Sequence, residues 1–379
     1  MLSACPRTVR RGVPANRPFV YFRPEHNEAD LVRAALEARL ISVGVIRSKY
    51  LVPLPGDERT GQDHEELAVT FRRANGQYLV DPDTSALCEP GLRDEELERR
   101  LRLTDAAQAV ELPLQFAVIQ DDGRRSHFIA ENVGMQVGAA GVVAPYLEVL
   151  RERDPRLAIN LKMLEETIIA VSDGRPVVAV LQTTGHRLRR GLVEQIAPLY
   201  AATGVKRLLL RVRRFEPEEA TAAEVAAYLD AAASLTALGV RVIPDCVGRL
   251  GPVLVADGAH AFSTGSRFFH KVAESPINTG GGNGGGALVY EVPGRLRAVP
   301  VSARRSDRVP RCAIPGCHAD AARGDGAAVR LHNLHALDAI AQLAARVGAV
   351  GFAAHLENGG NDREREWARA LRERAARAA

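Results

Sequence analysis

Short, wholly apolar runs alternate along this chain with longer amphipathic stretches, and that alternation narrows the fold more than any other feature. Val177-Val178-Ala179-Val180-Leu181 and Leu208-Leu209-Leu210 are the clearest runs. Successive side chains of a strand point to opposite faces, so an unbroken apolar run means that both faces are buried, as in a parallel sheet covered by helices. The pattern predicts strands at Phe19–Arg23, Ser42–Ile46, Tyr78–Val80, Gln115–Ile119, Leu157–Leu161, Val177–Leu181, Arg207–Val212, Val240–Ile243 and Ala261–Ser263. It predicts helices at Glu28–Arg39, Asp94–Arg102, Phe128–Arg151, Leu188–Ala202, Glu218–Leu238 and Gly251–Ala259. This order fits an α/β fold of the (β/α)8 TIM-like barrel type with one extra strand near its start. An open doubly wound sheet is the competing fold, but no glycine-rich dinucleotide fingerprint follows an early strand.

A length of 379 residues suits one such barrel with an appendage. The expected division is a disordered basic leader over 1–17, a barrel over 18–275, and a C-terminal subdomain over 276–379 that opens on the glycine loop Thr279–Gly286. A net charge of +4 is too small to argue by itself for nucleic acid. Cys5, Cys88, Cys246, Cys312 and Cys317 are odd in number and scattered, so they are not a disulfide framework. Without a signal peptide or an apolar run long enough to span a bilayer, a cytoplasmic protein with no membrane contact is expected.

Barrel active sites sit at the C-terminal ends of the strands. Those ends carry Asp81 and Asp83, Gln120 to Asp122, Lys162, Gln182 with Thr183, Arg211 with Arg213, Asp245 with Cys246, and Ser263, Thr264 and Arg267. Asp81, Asp83 and Asp245 are the candidate catalytic acids, because paired carboxylates can split their pKa values and act as acid and base. Asx turns and helix caps are the competing roles for these aspartates. Gln182, Arg211, Ser263, Thr264 and Arg267 are the candidate substrate-binding residues. Cys246 reads as a small core thiol, and the terminal stretch Asn361–Ala379 as a solvated Arg/Glu helix around Trp367.

Cys312 and Cys317 stand five positions apart, with His318 adjacent and His332 fifteen further on. Thiolate and imidazole are the ligands zinc prefers, and a structural site takes four of them. From Gly251 onward the chain resembles the tRNA-guanine transglycosylase superfamily. Gly285-Gly286-Ala287-Leu288 resembles its post-strand loop and Arg295-Leu296-Arg297-Ala298 its hairpin. Cys312 and Cys317 fall at the first and third positions of its CxCxxC cluster, and Leu331-His332-Asn333-Leu334 resembles its His-Asn segment. The resemblance implies a structural Zn2+ held by Cys312, Cys317 and His332. Ile314 replaces the middle cysteine, so His318 is the simplest fourth ligand, ahead of His335 and Asp320.

The resemblance also implies action on a nucleobase, by N-glycosidic exchange or cleavage, with tRNA or DNA as partner. It does not extend to the family's nucleophile. Ala261-Phe262-Ser263-Thr264-Gly265 has no strand-end carboxylate, and no Asp-Ser-Gly-Gly-type motif follows an earlier strand. The alternative is a catalytically inactive barrel serving as a binding or assembly subunit, with a protein partner or a homodimer. A third reading is an unrelated barrel enzyme acting on a small phosphorylated metabolite.

Overall fold

The computed structural model describes residues 19–24, 28–41, 43–47, 67–82, 84, 119–265, 289–301 and 326–378. Eight parallel strands run in sequence order: β1 (Val20–Arg23), β2 (Val43–Arg47), β3 (Gln77–Asp81), β4 (Val142–Val143), β5 (Val177–Thr184), β6 (Arg207–Arg213), β7 (Arg241–Asp245) and β8 (Phe262–Gly265). They pair in two arcs, β3-β2-β1-β8 and β4-β5-β6-β7. The Ala140 amide donates to the Tyr78 carbonyl (2.8 Å) across the β3–β4 seam, and the Val247 amide to the Ser263 carbonyl (3.1 Å) at the β7–β8 seam. With those seams joined, the arcs make a cyclic order of eight, which is a barrel.

Residue periodicity explains the interior. Tyr21, Val43, Val45, Leu79, Val143, Val178, Val180, Leu209, Ile243 and Ala261 form one buried cluster inside the ring. Their immediate neighbours, such as Phe22, Ile46, Val80, Leu208, Leu210 and Val242, belong to the other cluster, packed under the helices. Gly44 shows how tightly that outer layer is built: a Cβ there would lie 2.2 Å from the Phe71 ring.

The barrel helices are α1 (Ala29–Glu37), α2 (67–73), α3 (Asp122–Met135), α4 (Pro155–Ala170), α5 (Gly185–Arg189), α6 (Leu192–Ala202), α7 (Ala222–Ala237) and α8 (Gly251–Ala256). Local signals set several starts. Asp154 caps α4 ahead of Pro155 at its first position, and Thr221 with Glu224 forms a capping box on α7. After β8 comes the hairpin β9 (Val289–Glu291) and β10 (Ala298–Pro300). Helices α9 (Gly326–Glu357, broken at Gly348) and α10 (Asp362–Ala378) complete the chain. Helix α9 packs on α8 and α1, and α10 on α9 and α7.

The structure corrects several expectations. Leu157–Leu161 lies inside α4, because Asp154-Pro155 starts a helix there and its apolar residues are one helical face. Lys162 therefore sits on a helix, 3.8 Å from Asp122, and not at a strand end. The real fourth strand is the short Val142–Val143, inside the stretch predicted as one helix over Phe128–Arg151. Ile119 is helical, and the rest of the predicted strand Gln115–Ile119 lies outside the described residues, as do helix Asp94–Arg102, leader 1–17 and the glycine loop. Leu188–Ala202 is two helices, separated by Gly191 in the left-handed region (φ 70°). The terminal helix is not simply solvated: Glu364, Trp367, Ala368, Ala370 and Leu371 are buried, and the Trp367 indole N–H donates to the Ala220 carbonyl (3.0 Å). Helix α9 is long and apolar enough, by length and composition, to cross a membrane. One of its faces is the cover laid over the barrel.

Candidate functional site at the barrel mouth

Two residues beyond the apolar interior layer, six of the eight strands turn polar. Tyr21 is followed on the same face by Arg23, Leu79 by Asp81, Val180 by Gln182, Leu209 by Arg211, Ile243 by Asp245, and Ala261 by Ser263. All six polar residues are buried. The sequence therefore builds a polar floor to the mouth by strand alternation alone.

The charges in that layer are paired. Arg23 grips Asp245 with two parallel bonds, Nε to Oδ1 and Nη2 to Oδ2, both 2.7 Å, and reaches Asp81 Oδ2 through Nη1 (3.0 Å). Arg211 donates from Nε to Asp245 Oδ2 (2.7 Å) and from Nη2 to Asp81 Oδ2 (2.5 Å). Each guanidinium thus bridges both carboxylates, and the quartet is electrically neutral. Two-point arginine–carboxylate contacts fix geometry as well as energy. Tyr146 joins through its hydroxyl, which accepts from Arg211 and donates to Asp81 Oδ1 (3.0 Å). Its backbone is clamped by Thr84, whose Oγ1 donates to the Tyr146 carbonyl and accepts from the Tyr146 amide, each at 2.7 Å. The Ser263 hydroxyl donates to Asp245 Oδ1 and accepts from the Cys246 amide (2.8 Å).

Electrostatics follows from this pairing. Burial pushes the Asp245 pKa up, but Arg23 and Arg211 outweigh it and bring it down to about 2. Burial works against the charge on both arginines too. Asp245 leads the opposing pull on Arg23 and Asp81 that on Arg211, and both guanidinium pKa values end above their ordinary value. At neutral pH Asp245 is an anion with little basicity. Cys246 follows at the end of β7 with φ 58°, buried beside the same arginines. Around the quartet, Gln182 is buried, Glu148 meets Arg213 at 3.2 Å, and Thr264 Oγ1 faces its neighbour's carbonyl (3.3 Å).

Of the residues singled out from sequence, the fold brings Asp81, Asp245, Gln182, Arg211, Ser263 and Thr264 to this mouth. Asp121 is instead the cap of α3, and Asp122 an exposed partner of Arg125. Asp83 and Arg267 lie outside the described residues. Sequence reasoning missed Arg23 and Tyr146. Arg23 had a signal, a charge closing an apolar strand two residues after Tyr21. Tyr146 had none, because β4 was hidden inside a predicted helix.

The C-terminal region forms a second polar junction. His332 Nε2 donates to the Glu291 carbonyl (2.8 Å), and its ring stacks on Tyr290 with centroids 4.0 Å apart. Asn333 accepts from the Glu291 amide (2.9 Å) and donates to the Val289 carbonyl (2.8 Å). Arg249 ties the Glu291 carboxylate (2.7 Å) to Glu218. The Glu291 carbonyl can only accept, so the ring proton sits on Nε2, the tautomer of histidines that ligate a metal through Nδ1. Cys312, Cys317 and His318 lie outside the described residues, and among the described residues no group of three or more His, Cys, Asp or Glu is placed to hold a metal.

No family model matches the chain, and no curated protein matches it. Among solved structures it is similar to an enolase from the environmental genome shotgun sequencing of the Sargasso Sea, at 10% identity and TM-score 0.34 over 67% of this chain and 56% of that one. It thus spans little more than half the length of that enolase. Others are an HpcH/HpaI aldolase from Desulfitobacterium hafniense DCB-2 (13%, TM-score 0.33, 66% of this chain and 87% of that one) and an intracellular xylanase from Thermoanaerobacterium saccharolyticum (10%, 0.33, 68% and 89%). At this level of similarity no residue role or substrate carries over, and the barrel rests on the chain's own strand order and interior.

Proposed function

We propose that the chain is a diverged transglycosylase-like barrel whose mouth binds a nucleobase, free or within a nucleic acid, without exchanging it. The observation that carries this is the closed quartet of Arg23, Asp81, Arg211 and Asp245. Covalent base exchange needs a free carboxylate nucleophile or an activated hydroxyl. Asp245 is committed to two guanidinium groups and is too weak a base to activate Ser263, which stands at the end of β8. What the mouth offers is a neutral group of polar side chains, including Gln182, Ser263 and Thr264. That suits an uncharged polar ring better than a phosphorylated metabolite.

Support for the family reading comes from the junction of hairpin and His-Asn segment. The two stretches that resemble the superfamily, 295–298 and 331–334, belong to elements that interlock through Glu291, His332 and Asn333. Zinc would be held by His332 through Nδ1, with Cys312, Cys317 and His318. When bound it would staple hairpin and helix together, leaving the mouth residues to do the binding.

The test is equilibrium binding of guanine, 7-deazaguanine bases and tRNA to the full chain, run beside incorporation of labelled guanine into tRNA. Binding without incorporation is expected, and binding should fall at least tenfold in Gln182→Ala. Incorporation that Asp81→Asn abolishes would overturn the reading in favour of exchange chemistry. Absence of both binding and incorporation would leave the assembly subunit as the better account.

A further inference from the structure

The opposite end of the barrel carries its own pattern. All eight strands are parallel, so their N-terminal ends, and the C-terminal ends of the barrel helices, share one face. That face collects Arg39, Arg72, Arg73, Lys206, Arg207 and Arg241, and all but the half-buried Arg207 are exposed. None of the six forms an ion pair among the described residues. Arg207 and Arg241 are register partners on β6 and β7, which sets their Cα atoms about 5 Å apart. Acids there are few: Glu37 is exposed, Asp173 is occupied by Arg175 (2.6 Å), Asp257 faces Arg374 (3.7 Å), and Asp338 accepts from the Phe19 amide (3.0 Å).

The same end exposes aliphatic side chains. Val137 (72% exposed) follows α3, Ile168 and Ile169 (81%) end α4, Leu199 stands in the last turn of α6, and Leu238 caps α7. Only Val347 and Val350, on α9, are comparably exposed elsewhere among the described residues. Cations in the last turn of a helix complement its dipole, which accounts for Arg72 and Arg73 on α2 but not for aliphatic groups standing in water at the ends of α3, α4, α6 and α7.

We infer that this end of the barrel is a docking face for an anionic lipid bilayer, independent of what the mouth binds. Both ingredients of interfacial binding are present, cations for the headgroups and apolar side chains for the acyl boundary. A nucleic acid would use the cations and leave the aliphatics in water. A folded protein partner needs a central apolar cluster seated in pockets. Here the aliphatics are dispersed over separate helices, whose axes neighbour at about 8–10 Å. A fluid boundary accepts such isolated insertions without matching pockets.

The experiment is co-sedimentation of the full chain with phosphatidylcholine vesicles containing about 30% phosphatidylglycerol, against phosphatidylcholine alone. Binding to the anionic vesicles is expected, weakened by salt. Arg241→Ala or Lys206→Ala should each lower partitioning roughly fivefold, and Ile169→Ser should lower it without changing the salt dependence. Circular dichroism checks that these surface variants fold, and Arg190→Ala, at the C-cap of the α5 helix that follows β5, should bind as the parent does. Equal sedimentation with both vesicle types, or partitioning indifferent to Arg241, Lys206 and Ile169, overturns the inference. So does release by inorganic phosphate at matched ionic strength, which would mark a site for free anions. Displacement by a single-stranded RNA that needs Arg241 but not Ile169 would reassign the face to nucleic acid and overturn the bilayer.

Discussion

Strand β1 is held at both ends by aspartates in opposite circumstances. At the mouth Arg23 meets Asp245 and Asp81. At the other end the Phe19 amide donates to Asp338 of α9 (3.0 Å). Burial pushes both Asp245 and Asp338 toward the neutral form. Asp245 has two guanidinium partners and is drawn down to about 2, whereas Asp338 has only the Phe19 amide and Gln342 to oppose burial and rises to about 6. The sign of a buried acid's shift is decided by the charges it meets and not by its depth. The mouth is therefore a fixed electrostatic frame, while the α9 contact titrates within reach of ordinary pH.

The harshest way to break the contrast is to remove one member of the frame. Asp245→Ala leaves two buried guanidinium groups with only the Asp81 carboxylate between them and should cost about 3–5 kcal/mol in chemical denaturation. Asp338→Ala removes one hydrogen-bond acceptor and should cost about 1–2 kcal/mol. Equal losses would mean that the quartet is no more than a set of ordinary hydrogen bonds. Pairing Asp245→Ala with Arg211→Met should recover part of the loss, because the second change removes an uncompensated charge.

A pH series separates the two ends next. The folded-state pKa of Asp245 lies below its ordinary 3.8, so its stabilisation is present above that pH and is lost as pH falls through about 2. That of Asp338 is raised, so its contribution is full below 3.8 and is lost as pH rises through about 6. The two windows lie on opposite sides of the ordinary value and carry slopes of opposite sign. The smallest and sharpest effect belongs to Asp338→Asn, which keeps an oxygen for the Phe19 amide. Stability near pH 4 should change by less than about 1 kcal/mol, but the decline between pH 4 and 6 should flatten by roughly 2–3 kcal/mol. An unchanged slope in this variant would place the titration elsewhere.

The same contrast shows how much was legible beforehand. The continuous runs at Val177–Leu181 and Leu208–Leu210 announce parallel buried strands, and counting to their ends finds Gln182, Arg211, Asp245 and Ser263. The short β4 was not legible: two valines carry too little periodicity to stand out beside a long amphipathic stretch, and Tyr146 was lost with them. The Asp154-Pro155 start of α4 was readable but was outweighed by the apolar run behind it. Trp367 was visible in a highly charged helix, yet only its contact with Ala220 shows that one face of that helix is interior.

Strand spacing and apolar continuity, both local properties, were enough for the sequence by itself to determine a parallel βα architecture and which residue types face its mouth. Only the tertiary structure decided that Arg23 and Arg211 each span Asp81 and Asp245, turning apparent acid–base candidates into a neutral clamp. That outcome depends on strands far apart in sequence closing into one ring, and the Coulomb interactions that fix a carboxylate's protonation act through space over a few ångströms, whatever the separation along the chain.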